Sequence, residues 1–165
     1  MSPGFLYSRN SPLNAFLLKS LCFQDQFELP QFYIDFDDYS NRNAATDVKK
    51  EINQLKEKDV QGIIIDLRNN GGGSLKTVVD ITGYFIKEGP VVQVKSTGGK
   101  KEILRDTDSS IIWEGPLVIL VNEFSASASE ILAAALQDYK RAVVLGSKQT
   151  FGKGTVHQRL SRFIK

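Results

Sequence analysis

One cysteine, Cys22, and one histidine, His157, are all that this 165-residue chain has of those two residue types. A lone thiol cannot build an intramolecular disulfide framework, and with a lone imidazole it leaves no cluster at zinc-ligand spacing. Any hydrolysis read here is therefore metal-free, and no cofactor is expected. Charge of one sign is lacking too: 21 Lys+Arg stand against 19 Asp+Glu, a formal net charge of +2. Such a balance sets up no global field to draw nucleic acid or an acidic surface. Long apolar runs are also missing. Leu13 to Phe23 is short and carries Lys19, a poor membrane span and a poor secretory signal, so neither membrane insertion nor a signal peptide is read.

What is present fits one α/β domain: 165 residues with 41% apolar content can bury a sizeable core but hardly two. Residues 1–26 mix Ser, Pro, Asn and Leu without clear period and read as a lead-in or the remnant of an upstream region. Phe27 to Phe36 reads as a strand broken by Pro30 and closed by Asp35, Asp37 and Asp38. That acidic run is taken as a solvated strand end, because no glycine-punctuated calcium loop with a distal glutamate follows.

Ala44, Ala45, Val48, Ile52 and Leu55 recur at helical spacing, which predicts an amphipathic helix over 44–58. Gly62 to Leu67 is a continuous apolar run of strand length, as expected of a parallel strand covered on both faces. Leu75, Val78, Val79, Thr82, Phe85 and Ile86 mark a second helix. Pro116 to Val121 and Ala142 to Leu145 read as two more buried strands with a third helix between them. Alternating strands and helices predict crossover units in a mostly parallel sheet covered by helices, with ligand sites at the carboxyl ends of the strands.

Three loops follow those strands. Arg68-Asn69-Asn70-Gly71-Gly72-Gly73-Ser74 can aim bare N–H groups at an anion, or can simply be a tight turn. A phosphate cradle is rejected here and at Gly146 to Thr155, since Lys153 is followed by Gly154 rather than Ser or Thr. Asn122 to Glu130 holds Ser125, Ser127 and Ser129 at a strand-to-helix turn. Ser127 with Glu130 three residues on has the form of a capping box. A serine there could equally present its hydroxyl where the next N–H and the helix dipole stabilise an oxyanion, and physics alone leaves the three serines open. The third loop frames Lys153 between Gly152 and Gly154, where a solvated loop lysine is the plain alternative.

Together, Asp66 to Gly73, Ser125 to Glu130 and Thr150-Phe151-Gly152-Lys153-Gly154-Thr155-Val156 resemble, in order, three signature blocks of the tail-specific carboxy-terminal processing serine peptidases. The resemblance runs from about Phe27 to Gln158 and makes 27–165 the catalytic core. It implies a fold of the ClpP/crotonase-like type, Ser127 as nucleophile, Lys153 as base, and an oxyanion hole from the N–H groups of Gly73 and Ala128. It further implies supporting positions at Asp138 and Glu130, protein substrates with apolar unstructured C-terminal tails, and a periplasmic or cell-envelope location. His157 stands where the family usually has glutamine, and below roughly pH 6.5 it would become a second cation beside Lys153. One extra residue between Ser127 and Lys153 is assigned to the 147–150 loop. No PDZ-like domain precedes the core and the chain stops at Lys165, so a truncated core is expected.

Three rivals stay in view. Ser127, His157 and Asp138 could form a histidine-based hydrolase. An inactive core of the same fold could bind apolar ligands or peptides. A crotonase-like acyl-CoA enzyme shares the fold, but no feature here favours a CoA site.

Overall fold

The computed structural model describes residues 44–153 together with the backbone of two preceding strands, β1 (Ala15–Leu21) and β2 (Gln31–Asp35). Asp37, Asp38 and the Gly154–Gln158 block, including Val156 and His157, lie outside the described residues.

Helix α1 (Ala44–Glu57) forms where the apolar period predicts it. Ala44, Val48, Ile52 and Leu55 are its buried face, and Asp47 in the first turn and Lys56 in the last complement the helix dipole. Strand β3 (Gly62–Asp66) follows, then helix α2 (Leu75–Gly83). After the insertion described below come strand β6 (Leu117–Val121), helix α3 (Ala128–Asp138) and strand β7 (Val143–Gly146). β3 pairs parallel with β6, and β6 parallel with β7. This is the predicted crossover order.

The five-stranded sheet has the order β2-β1-β3-β6-β7. β1 is antiparallel to both β2 and β3. Four strands therefore run one way and only β1 runs against them. β1 lies inside the stretch read as a lead-in. Its sequence Ala-Phe-Leu-Leu-Lys-Ser-Leu has no strict alternation, so nothing local marked it as the strand between β2 and β3.

Ile63 and Ile65 of β3 and Leu117, Ile119 and Val121 of β6 share one face, and together with the buried sides of α1, α2 and α3 they make the core. The reading of β7 as a buried strand is corrected. Val143 and Leu145 are 58% and 51% exposed, while Val144, like Ala142 just before the strand, packs on the core. The physical reason is the pleat: alternate residues of a strand face opposite sides, and the helices cover the side carrying Val144. Ile64, Val118 and Leu120, on the other side, are only half-buried.

Between α2 and β6 stands an antiparallel ribbon that the sequence reading did not anticipate, β4 (Gly89–Lys95) and β5 (Lys101–Asp106). Its signals were Val91, Val92 and Val94 before a Gly98-Gly99 turn, with Gly99 at φ +79°. Tyr139 at the end of α3 donates its hydroxyl to Pro90 O at 2.9 Å, fastening the ribbon to the helical layer. Arg141 closes the same region, donating from Nη2 to Trp113 O and Gly115 O at 2.7 Å each and from Nε to Phe85 O at 3.1 Å. Burial pushes its pKa down, and Glu114 partly opposes that. Among the described residues no helix is long and apolar enough to cross a membrane.

Candidate active site

Because β3, β6 and β7 are parallel, their carboxyl ends open on the same edge of the sheet and bring the three loops together. Asn69 and Asn122 lock the first two loops: Asn69 N–H donates to Asn122 Oδ1 and Asn122 Nδ2 to Asn69 Oδ1, each at 2.9 Å. Asp66, buried at the end of β3, receives Arg68 Nε at 2.8 Å and Nη2 at 2.5 Å, which stiffens the start of the glycine loop.

The three serines separate cleanly. Ser125 is fully buried and donates its hydroxyl to Leu67 O at 2.7 Å. Ser129 is 2% exposed and donates its own to Asn70 Oδ1 at 2.6 Å. Ser127 between them is only partly buried and sits at φ 56°, ψ −117° immediately before α3. A non-glycine residue in that sparsely populated region costs about 1–3 kcal/mol and persists only where the surroundings over-determine it. A strained residue at a sharp strand-to-helix turn is the backbone geometry a nucleophile elbow uses.

The glycine loop meets that turn directly. Gly72 has φ +100°, and a Cβ placed on it would lie 2.6 Å from Ala126 O and 2.7 Å from both Ala128 N and Ser127 Cβ. Only glycine allows this approach. Gly73 follows at the surface, and Ala128 is the first residue of α3, where helix N–H groups have no intrahelical partner.

Glu130 ties the third loop to the serine. Its Oε2 accepts the backbone N–H of Ser127 at 2.7 Å and of Lys153 at 3.0 Å; Oε1 accepts Thr150 Oγ1–H and Gly152 N–H, each at 2.6 Å. Burial pushes the carboxyl's pKa up, but these four donors outweigh that and hold it below the ordinary glutamate value. Phe151 N–H adds a bond to Ser125 O at 3.0 Å. Lys153 itself is exposed. Read from sequence, Glu130 was a cap for α3; in the fold it also binds the lysine loop, a contact invisible at a separation of 23 residues.

Asp138 is not part of this cluster. It is exposed at the far end of the 11-residue α3, so a rise of about 1.5 Å per residue sets it about 16 Å along the helix axis from Ser127. His157 lies outside the described residues.

Residues 30–162 match Peptidase family S41. The chain belongs to that family. Within it, the chain is 42% identical over 134 residues to the tail-specific protease of Haemophilus influenzae, covering 81% of this chain and 18% of that protein. It is also 42% identical over 124 residues to the carboxyl-terminal-processing protease of a Synechocystis species, covering 75% of this chain and 28% of that one. Among solved structures, the photosystem II D1 C-terminal processing protease superposes with a TM-score of 0.64 at 37% identity, over 70% of this chain and 30% of its own. The resemblance to carboxy-terminal processing peptidases and the α/β fold are thereby borne out, and the chain spans less than a third of these relatives' length.

Proposed function

We propose that this S41 chain carries the catalytic core of a carboxy-terminal processing serine peptidase, with Ser127 as nucleophile and Lys153 as general base. The observation that carries the reading is the shared carboxylate oxygen: Glu130 Oε2 holds the main chain of both the strained serine and the lysine. Two residues 26 positions apart are thus brought to one point.

Neutral Lys153 Nζ takes the proton from Ser127 Oγ as that oxygen attacks the scissile carbonyl. The carbonyl oxygen becomes an oxyanion facing the N–H groups of Gly73 and Ala128, at the positive end of α3. Collapse of the tetrahedral species breaks the C–N bond, and the lysine returns its proton to the departing amine. Water, deprotonated by the same lysine, then frees Ser127 from the acyl-enzyme.

Phe124 and Phe151, 58% and 63% exposed, lie on the two loops that meet beside the serine turn, fixed by Phe124 N–H to Asn122 Oδ1 at 3.2 Å and Phe151 N–H to Ser125 O at 3.0 Å. Large aromatics held at the surface on fixed backbone favour apolar side chains near the scissile bond, in keeping with protein substrates that end in apolar, unstructured tails. The separation of Asp138 from Ser127 supports a dyad over a Ser–His–Asp triad. A location in the cell envelope goes with the same reading.

The test is cleavage of a protein bearing a flexible apolar C-terminal tail, with the unaltered protein, Ser127→Ala and Lys153→Ala compared at several pH values. Both substitutions should abolish cleavage; activity that survives Lys153→Ala overturns the dyad.

A further inference from the structure

Asn70 is fully buried, and it joins the glycine loop to the turn on both sides of Ser127. Its side-chain oxygen accepts Gly72 N–H at 2.9 Å and the Ser129 hydroxyl at 2.6 Å. Its main-chain oxygen accepts Ala126 N–H at 2.9 Å, and its N–H closes a turn onto Leu67 O at 3.1 Å. The amide orientation follows from the partners, since a backbone N–H can be met only by the carbonyl end of the side chain.

We infer that Asn70 is the positioning residue of the oxyanion pocket, setting the angle at which the Gly73 and Ala128 N–H groups face the reacting carbonyl. This rests on the assignment of Ser127 as nucleophile. Each donor borders on or lies within a segment that Asn70 clamps: Gly73 directly follows Gly72, and Ala128 lies between Ala126 and Ser129. The bond from Gly72 N–H to Asn70 removes that donor from the pocket and leaves the next one, on Gly73, for the oxyanion. Gly72, at φ +100°, has no side chain to hold its own orientation, so the Asx turn from Asn70 supplies what the glycine cannot. Donors aimed beforehand at the developing charge are worth about 10²–10³ in kcat each, and misaiming one forfeits much of that.

The experiment measures kcat, KM, and the inhibition constant of a peptide aldehyde that forms a tetrahedral adduct with the serine, for the full protein carrying Asn70→Ala or Asn70→Ser. Asn70→Ala should lower kcat about 10²-fold, keep KM within about threefold, and weaken aldehyde binding by a factor matching the loss in kcat. Asn70→Ser retains an oxygen able to form the weaker turn to Gly72, so it should recover about tenfold of that loss. Should the alanine variant not fold, the serine variant alone decides, by a kcat loss that aldehyde affinity tracks. Unchanged kcat and aldehyde affinity, or a lowered melting temperature with both intact per folded molecule, would overturn the assignment. Lys153→Ala assayed in parallel keeps the two questions apart, because activity surviving it removes the dyad without touching the dependence of aldehyde binding on Asn70.

Discussion

Gly72 and Ser127 lie so close that a Cβ on the glycine would stand 2.7 Å from the Cβ of the serine, inside any contact real side chains make. Gly72→Ala should therefore force the glycine loop off the serine turn. Kinetics should show a fall in kcat of at least about 10²-fold, since a displacement near 1 Å at reacting groups costs that much. The positive φ adds backbone strain, so the melting temperature should fall as well. A variant with full activity would show that the loop can retreat without consequence.

Glu130→Gln should impair the same step by another route. The new amide nitrogen would face two N–H or O–H donors where a carboxylate oxygen now accepts them, leaving both without a partner. We expect kcat to fall about 10–10²-fold with the fold retained by circular dichroism.

The titration of Glu130 gives a pH signature. Its folded pKa is depressed, so its contribution to stability is complete above the ordinary glutamate pKa of about 4.3 and is lost as pH falls through the lower folded value. Thermal midpoints should drop more steeply below about pH 4.3 in the unaltered protein than in Glu130→Gln, which has no carboxyl at this position to protonate. Parallel curves would mean that the clamp adds nothing to stability.

Phe124→Ala and Phe151→Ala should raise KM about tenfold each for substrates with apolar tails, in proportion to the apolar contact removed, while kcat stays within a few-fold. Substrates with polar tails should be cleaved equally by all three proteins. A kcat effect without a KM effect would point to loop positioning instead of substrate contact.

Arg141→Met should cost about 2–4 kcal/mol, because three carbonyls, of Phe85, Trp113 and Gly115, would lose a charged donor in a half-buried site. Denaturant unfolding measures it. Arg141→Lys should recover only part, since one ammonium cannot reproduce the planar fork.

Much of the architecture was legible in the chain itself. The period of Ala44, Val48, Ile52 and Leu55 is a local property of any helix with one covered side, and the apolar run ending at Asp66 is a local property of a central parallel strand. The order of strands, helices and the three motif blocks follows from the chain in the same way. Ser127, Lys153, Gly73 and Ala128 were reachable only through motif resemblance, because spacing treats Ser125, Ser127 and Ser129 alike. Strand β1 was missed because it has no strict alternation and its partner β3 is distant in sequence; the β4–β5 ribbon was missed although Val91, Val92 and Val94 before Gly98-Gly99 carry a local hairpin signal.

The amino-acid sequence by itself determined the helices, the parallel strands and which loops would gather at their carboxyl ends, because periodicity and turn chemistry act over a few residues. Only the tertiary structure decided that Ser125 and Ser129 are spent on buried hydrogen bonds, that Ser127 carries the backbone strain, that Glu130 and Asn70 bind segments 23 and 59 residues away, and that Asp138 stands apart. Those distinctions arise from where buried donors find acceptors, and that is set by folding the distant segments onto one another.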